Sequence, residues 1–401
     1  MNPVVIVHHH EITLKGQNRP YFERQLIRNV RLVLKGIVPS SAIGGGYGRF
    51  VINLSSDNQY DEISSRLTTV FGLSNICAGV RAAQDVGAFC ESAGQLLEGQ
   101  NFKTIRVDAR RVDKNFPVGS MAVNARVGEY LCTRFGVRAN LSDPDETVHI
   151  EIVDGTSYVY RSRMAGAGGL PVGVSGRVAG LLSAGFDSPV ACWKLMKRGA
   201  SVIFVHFHSM PYTSHHSVNQ VRQLVEILTR YQFSSKLFIV PFADVQNEIV
   251  LQSPQSLRVI LYRRMMIRIA EAIARQAKAE ALVTGESVGQ VASQTLRNIR
   301  VIDEAATLPV LRPLSGTDKE ETMAIARRIG TYDISREPYD DCCSFLAPRK
   351  PETWASLDGA TDAEAKLNIP GLIRMAMDKL NMERFTLPGV QDVDPIDAVQ
   401  D

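Results

Sequence analysis

Three short stretches carry residue types that can do chemistry. Ser183-Ala184-Gly185-Phe186-Asp187-Ser188 offers two hydroxyls, a carboxylate and a glycine between an apolar run, Val178 to Leu182, and a helical pattern from Pro189 to Arg198. A small-residue turn entering a helix suits an anion, because first-turn N–H groups lack intrahelical partners and the dipole favours negative charge. An ordinary tight turn of an α/β protein would read the same way. Ser188 is the expected N-cap, and Pro189 suits the first helical position. Further along, Asp318 is an expected cap that puts Lys319 in the first turn of another helix. A cation there is electrostatically out of place unless an anion binds beside it. The adjacent Cys342 and Cys343 follow Pro338-Tyr339-Asp340-Asp341, a loop composition. Paired cysteines suit redox, metal or sulfur chemistry through a thiolate. Two buried thiols acting as small hydrophobes are the alternative.

Other candidates are weaker. His8-His9-His10 could suggest a metal site, but strand neighbours face opposite ways, so only His8 and His10 could converge. His206 and His208 have the same spacing and no obvious acidic or thiol partner, so no metal site is expected. Lys103, Arg106, Arg110, Arg111 and Lys114 lie between Phe102 and Phe116. Cations meet phosphate and rings stack on bases, so this run could face RNA; a solvated charged strand is the competing reading.

These residues need elements to position them. The turn at Ser183–Ser188 sits inside a βαβ unit whose second strand is Ser201–Val205, after Gly199 at a helix C-cap. Strand Lys236–Val240, a helix from about Ser256 to Lys278 and strand Ala281–Thr284 continue the alternation of a doubly wound parallel sheet. A second small-residue loop, Gly285 to Gln294, follows the last of these. After Lys350 only a short helical tail is expected. Upstream, residues 1–56 fit a β-α-β-β-α-β unit. A second small domain spans 57–165, a Gly-rich linker 166–176, the catalytic domain 177–385 and an acidic tail 386–401.

The totals exclude some classes. The chain has 401 residues, a net charge of +3 and six cysteines. It lacks an apolar run of the ~20 residues a membrane span needs, and its N-terminus lacks a signal-peptide pattern. Scattered cysteines at this length point to a reducing compartment, the cytoplasm.

The turn resembles the pyrophosphate-binding loop (SGGxDS) of the adenine-nucleotide α-hydrolases, with Ala184 in place of glycine. A methyl there could crowd the pyrophosphate or demand a φ that Ala dislikes. His10-Glu11-Ile12-Thr13-Leu14-Lys15-Gly16-Gln17-Asn18-Arg19, Arg110 to Pro117, Gly168–Gly173, His206–Ser209, Arg263–Met266, Thr284–Ser287 with Gln294-Thr295, Gly330–Ile334 and Asp340–Cys343 together resemble the tRNA 4-thiouridine synthetase (tRNA uridine 4-sulfurtransferase) family. The resemblance implies a ferredoxin-like domain, a THUMP domain and a pyrophosphate-loop catalytic domain. It implies ATP and Mg²⁺ as cofactors, and adenylation of O4 of the uridine at position eight of tRNA, followed by sulfur transfer from a persulfide. By position, Ser183, Gly185, Asp187 and Ser188 would hold pyrophosphate, while Leu181, Leu182, His206, Phe207, Arg263, Gly285 and Gln294 would line the nucleotide site. Lys319 would stabilise negative charge, and Cys342 would carry the persulfide with Cys343 as resolving thiol. Lys15, Arg19, Lys103, Arg106, Arg110, Arg111 and Lys114 would face RNA. Many family members append a rhodanese domain; the tail here is too short for one, so sulfur is expected from a cysteine desulfurase directly or through a separate carrier. A homodimer would let one tRNA reach both functional surfaces. Sulfur transfer in thiamine thiazole synthesis and a catalytically decayed tRNA-binding protein are the alternatives.

Overall fold

The apolar runs on either side of the Ser/Gly turn become neighbouring parallel strands, Arg177–Leu181 and Ser201–His208, in register from Arg177 opposite Ser201 to Leu181 opposite Val205. The second is buried at every position, as a central strand covered on both faces must be. The computed structural model describes residues 2–46, 48–153, 155–339, 342, 346 and 351–389, which divide into two units between Leu170 and Pro171.

In the second unit the sheet order is Val310–Leu311, Ala281–Val283, Arg177–Leu181, Ser201–His208, Ser234–Pro241 and Asn381–Thr386. The first five strands run parallel. The chain starts in the middle, winds one way through Ser201–His208 and Ser234–Pro241, then returns to the other side at Ala281–Val283. A crevice therefore opens beyond the C-terminal ends of Arg177–Leu181 and Ala281–Val283, the switch point where such sheets bind ligands. The last strand departs from the expected short helical tail. The tail instead makes helices Leu357–Glu364 and Ile369–Asp378, and then Asn381–Thr386 pairs antiparallel with Ser234–Pro241. Its alternating exposed and half-buried residues suit an edge strand.

Helices close both faces. Asp187–Lys197 ends where Gly199 takes φ +88°, a left-handed conformation that glycine adopts without steric cost and that turns the chain into the next strand. The long helix Arg258–Gln276 buries Ile260, Leu261, Met265, Ile269 and Ile273 in the main core. Arg264 lies within that core, 1% exposed, and its guanidinium grips Glu364 through Nε at 2.8 Å and Nη2 at 2.7 Å. Arg268 binds the same carboxylate at 2.5 and 2.9 Å, so the shared face of Arg264 and Arg268 fastens the C-terminal helices to the domain.

The first unit is one mixed sheet. Its order is Ile43–Gly46, Arg49–Asn53, Asn2–His8, Asn75–Ala82, Thr156–Tyr160, Glu146–Val153, Thr104–Arg111 and Arg138–Ala139, with Met164–Ala165 pairing Asn75–Ala82. Asn75–Ala82 is shared: it pairs antiparallel with Asn2–His8 on one side and Thr156–Tyr160 on the other. Helices Val86–Leu97 and Ser120–Phe135 cover the core formed by Ile105, Val107, Ala109, Val148 and Ile150.

Candidate active site

The Ser183–Ser188 turn is pinned from within. The helix begins at Asp187, one residue before the expected cap, and no side chain caps it. Ser188 folds back instead. Its Oγ accepts the Ser183 backbone N–H at 2.9 Å and lies 3.1 Å from Ser183 Oγ. The first-turn N–H groups are thus not consumed by a cap, and the turn borders a cavity of about 450 Å³. Ala184 is 1% exposed and packs inward. Among the described residues, only Phe233 and Lys278 place a non-glycine side chain on left-handed backbone. The expected φ strain at Ala184 is therefore absent. At Gly185 the constraint is contact: a Cβ would sit 2.9 Å from Tyr339 Oη.

The second loop meets the first across the switch point. A Cβ on Gly285 would come within 2.5 Å of the Ser188 backbone nitrogen and 2.7 Å of the Asp187 carbonyl carbon. Only glycine lets this loop lie against the start of the Asp187–Lys197 helix. From the same loop Gln290 Nε2 donates to Asp187 Oδ2 at 3.0 Å. Lys319, in the first turn of a helix capped by Asp318, reaches both Asp187 oxygens, at 2.9 and 3.0 Å. Its Nζ also stands 5.4 Å from the centre of the Phe186 ring.

Of the residues expected at the nucleotide site, Leu181, Leu182, Ser183, Gly185, Asp187 and Ser188 line this cavity from the first strand and turn. His206, Phe207, Arg263, Gly285 and Gln294 line it from elsewhere in the sheet and helices, together with Lys319 and Cys342. His206 is oriented by its Nδ1–H, which donates to the Leu182 carbonyl at 2.8 Å. Cys342 is 9% exposed, and its carbonyl accepts from Gln246 Nε2 at 2.7 Å. Cys343, Asp340 and Asp341 lie outside the described residues.

Sequence reasoning missed several members. Gln290 and Tyr339 also line the cavity, and so does Glu286, which is buried. Glu286 accepts from Arg312 Nε at 2.8 Å and Thr284 Oγ1 at 2.9 Å, and Arg312 is held in turn by Asp303 at 3.0 Å. The carboxylate at Glu286 was visible beside Gly285; its arginine, 26 positions on, carried no local signal.

A group of three or more metal-ligating side chains does not occur among the described residues. His8 binds Glu151 at 2.8 Å, His9 is buried 3.2 Å from Glu23, and His10 is exposed. His208 stays neutral, its pKa lowered to about 4 by burial and then by His215.

In the first unit Lys103, Arg110 and Lys114 are exposed. Arg106 donates to the Leu141 carbonyl at 3.2 Å and Arg111 to the Phe116 carbonyl at 2.9 Å. Lys15 lies 5.2 Å from the Phe22 ring centre, and Arg19 pairs with Glu23 at 2.7 Å. The rings do not serve as expected. Phe116 is buried against Phe89 at 5.9 Å, and Phe102 packs on Phe135 at 5.5 Å. Phe116 belongs to the core under the helix Val86–Leu97, and Phe102 is half-buried against the helix Ser120–Phe135.

Comparison with known proteins follows the same division. Residues 173–369 match the family model described as thiamine biosynthesis protein (ThiI), residues 4–77 its ferredoxin-like domain and residues 84–161 the THUMP domain. A probable tRNA sulfurtransferase of Thermus thermophilus is 41% identical over 95% of this chain and 93% of its own. One from Moorella thermoacetica is 41% identical over 97% and 99%. A solved 4-thiouridine synthetase in complex with RNA and bound ATP superposes with a TM-score of 0.87 at 34% identity, covering 96% of this chain and 100% of its own. With such identity sustained along nearly its whole length, the chain belongs to the tRNA sulfurtransferase family.

Proposed function

We propose that this protein is an ATP-dependent sulfurtransferase that converts the uridine at position eight of tRNA to 4-thiouridine. The observation that carries the reading is the convergence on one cavity of an uncapped helix N-terminus, the Lys319–Asp187–Gln290 cluster and a cysteine, Cys342. A carbonyl oxygen is a poor leaving group, so sulfur cannot displace it until it is adenylated.

ATP is the co-substrate. The first-turn N–H groups, with Ser183, Gly185 and Ser188, bind its pyrophosphate portion. Leu181, Leu182, His206, Phe207, Arg263, Gly285 and Gln294 enclose the rest. Gln294 lines the cavity, and its Oε1 is a buried acceptor with no hydrogen-bond partner among the described residues, which suits an amino group such as that of adenine. Mg²⁺ usually takes one or two carboxylates plus substrate phosphates and water. Asp187, a single carboxylate at the phosphate turn, fits that donor set, and the ion would neutralise charge on the phosphates.

Uridine O4 attacks the α-phosphorus and pyrophosphate leaves. Lys319 moves from Asp187 to the charge that develops there. The terminal sulfur of a Cys342 persulfide, loaded by a cysteine desulfurase or a carrier, then attacks C4 and AMP departs. This leaves a disulfide between the base and Cys342. A second thiol, with Cys343 the adjacent candidate, attacks the Cys342 sulfur and frees the thione. The resulting disulfide is reduced by an external thiol. Lys103, Arg110 and Lys114, with Arg106 and Arg111 of the same run, supply phosphate contacts in the first unit, and Lys15 and Arg19 supply others from the segment after its first strand. The reading places the protein in the cytoplasm with tRNA. No helix among the described residues is long and apolar enough to cross a membrane. One tRNA reaching both the RNA-binding residues of the first unit and the catalytic cavity suits a homodimer. Thiolation of unmodified tRNA with ATP, Mg²⁺, desulfurase and cysteine, read at the near-ultraviolet band of 4-thiouridine, tests it. Absence of product with bound tRNA and ATP would favour a decayed enzyme.

A further inference from the structure

An aromatic and basic platform stands at the edge of the nucleotide cavity, outside the groups used above. The cavity wall continues through Val291 and Gln294 into the helix Leu296–Asp303. Thr295 Oγ1, the residue after Gln294, donates to the Thr353 carbonyl at 3.0 Å, and Arg297 Nε donates to the Ala355 carbonyl at 3.0 Å. Asn298 secures the same segment, accepting from the Ala355 N–H at 3.0 Å and donating to the Glu352 carbonyl at 2.8 Å. Trp354 is thereby held against the helix yet remains 69% exposed. Leu296 on the same helix is 70% exposed and Val291 in the cavity wall 50%.

An exposed tryptophan on a fixed segment has a cost that folding does not require, since the ring buries little of its surface here. What it does have is a cation: the Arg297 guanidinium lies 5.0 Å from the ring centre, covering one face. Arg300, also exposed, is three residues on and shares that helix face. The carboxylates at the end of the same helix are engaged elsewhere, Asp303 with Arg312 and Glu304 with Arg264. Arg297 itself donates to a neutral carbonyl, and the one carboxylate at the platform among the described residues, Glu352, accepts the Trp354 N–H at 2.8 Å, so two arginines against one carboxylate leave it net positive. Positive charge beside a presented ring matches a nucleic-acid strand: base on ring, phosphate on guanidinium.

We propose that Trp354, with Arg297 and Arg300, forms a stacking platform for a nucleotide flanking the target base, holding the strand while that base enters the cavity. This inference rests on the tRNA-thiolating reading. A base stacked on the open face completes an arginine–tryptophan–base sandwich, and Arg300 is placed for the adjoining phosphate. Such a contact is sequence-tolerant, because every base has a π-face. It gives the catalytic unit its own hold on the RNA, separate from the basic residues of the first unit.

The chain has two tryptophans, and the other, Trp193, is 5% exposed in the core. Trp193→Phe therefore leaves Trp354 as a lone reporter. The experiment titrates this full-length variant with unmodified tRNA, following tryptophan emission and, in parallel, filter binding. Quenching that tracks the binding curve is expected. In steady-state thiolation, Trp354→Ala should raise KM for tRNA on the order of tenfold, with kcat and KM for ATP near wild type. Trp354→Phe should recover most of the loss. Filter-detected binding with unchanged emission and a wild-type KM in Trp354→Ala would overturn the platform while leaving the thiolation reading intact. Quenching by a cysteine desulfurase and not by tRNA would overturn it in favour of a protein-docking face. Failure of the wild type to bind tRNA at all would remove the reading on which it rests, and the platform with it.

Discussion

Lys319 and Asp187 are 132 residues apart in the chain and form an ion pair, Lys319 Nζ standing 2.9 and 3.0 Å from the two carboxylate oxygens. Each sits in the first turn of its own helix, where the dipole favours Asp187 and disfavours Lys319. The carboxylate therefore parks a cation beside the phosphate turn. The pair is part-exposed, with Lys319 43% accessible, so it adds about 0–1 kcal/mol to stability. Its value is positional. Lys319→Ala should leave the melting temperature nearly unchanged and cut adenylation about 10²–10³-fold, measured as tRNA-dependent pyrophosphate release. A variant with the wild-type rate would remove Lys319 from the chemistry.

Gly285→Ala tests how the two loops meet. Its methyl would sit 2.5 Å from the Ser188 nitrogen, inside contact distance with backbone that cannot rotate away. The loops must separate, at a stability cost of about 1–3 kcal/mol. ATP affinity by calorimetry should fall more than tenfold while tRNA affinity stays constant. Unchanged ATP binding would mean the loops need not touch.

The turn, the second loop and the alternation of parallel strands and helices around them were legible because each is local: small residues between apolar runs, at the ends of parallel strands. What was not legible depends on distant partners. Gln290 and Arg312 are ordinary polar residues until folding brings them to Asp187 and Glu286. Phe102 and Phe116 looked like base-stacking rings beside cations, but Phe116 is buried on Phe89 of the preceding helix and Phe102 is half-buried on Phe135 of the following one. The tail was misjudged for the same reason, since an antiparallel edge strand is defined by Ser234–Pro241, more than a hundred residues upstream.

Glu364 carries two arginines from one helix, and Arg264 has Glu304 as a second, more exposed carboxylate partner. Removing a partner from a buried pair costs about 3–5 kcal/mol because the remaining charge is stranded. Arg264 is 1% exposed but keeps Glu304, so Glu364→Ala should lose about 2–3 kcal/mol in urea unfolding, below that full cost. A loss below about 1 kcal/mol would show that water reaches Arg264.

Stability should fall on acidification in two stages. Burial, then Arg163, lowers the His149 pKa to about 4, and burial lowers His9 to about 4 despite Glu23. Both are neutral in the native state, whereas unfolded histidines take up protons near 6.5. Between those values the unfolded chain binds protons the native state refuses, so stability drops as pH falls from 6.5 toward 4, by up to about 3 kcal/mol per histidine. Glu151 then adds to the loss. Burial raises its pKa, but His8, Arg49 and Tyr160 outweigh that and hold it at about 2, so its contribution is present above pH 4.5 and disappears toward 2. Denaturant unfolding at pH 8, 6, 5 and 4 checks this. Stability rising between pH 6 and 5 would contradict it.

In the first unit, exposed Arg110 and Lys114 should each release counterions on RNA binding. The double variant Arg110→Ala with Lys114→Ala should weaken tRNA binding at low salt and reduce the slope of log K against log salt by about 1 to 2. An identical slope would take both residues out of the phosphate footprint.

The most direct test of sulfur transfer at this cavity is thiolation of unmodified tRNA by the wild type and Cys342→Ser, with ATP, Mg²⁺, a cysteine desulfurase and cysteine present, alongside pyrophosphate release. The account predicts 4-thiouridine from the wild type, and from Cys342→Ser pyrophosphate release without thiolated product. Thiolated tRNA formed at the normal rate by Cys342→Ser would contradict it.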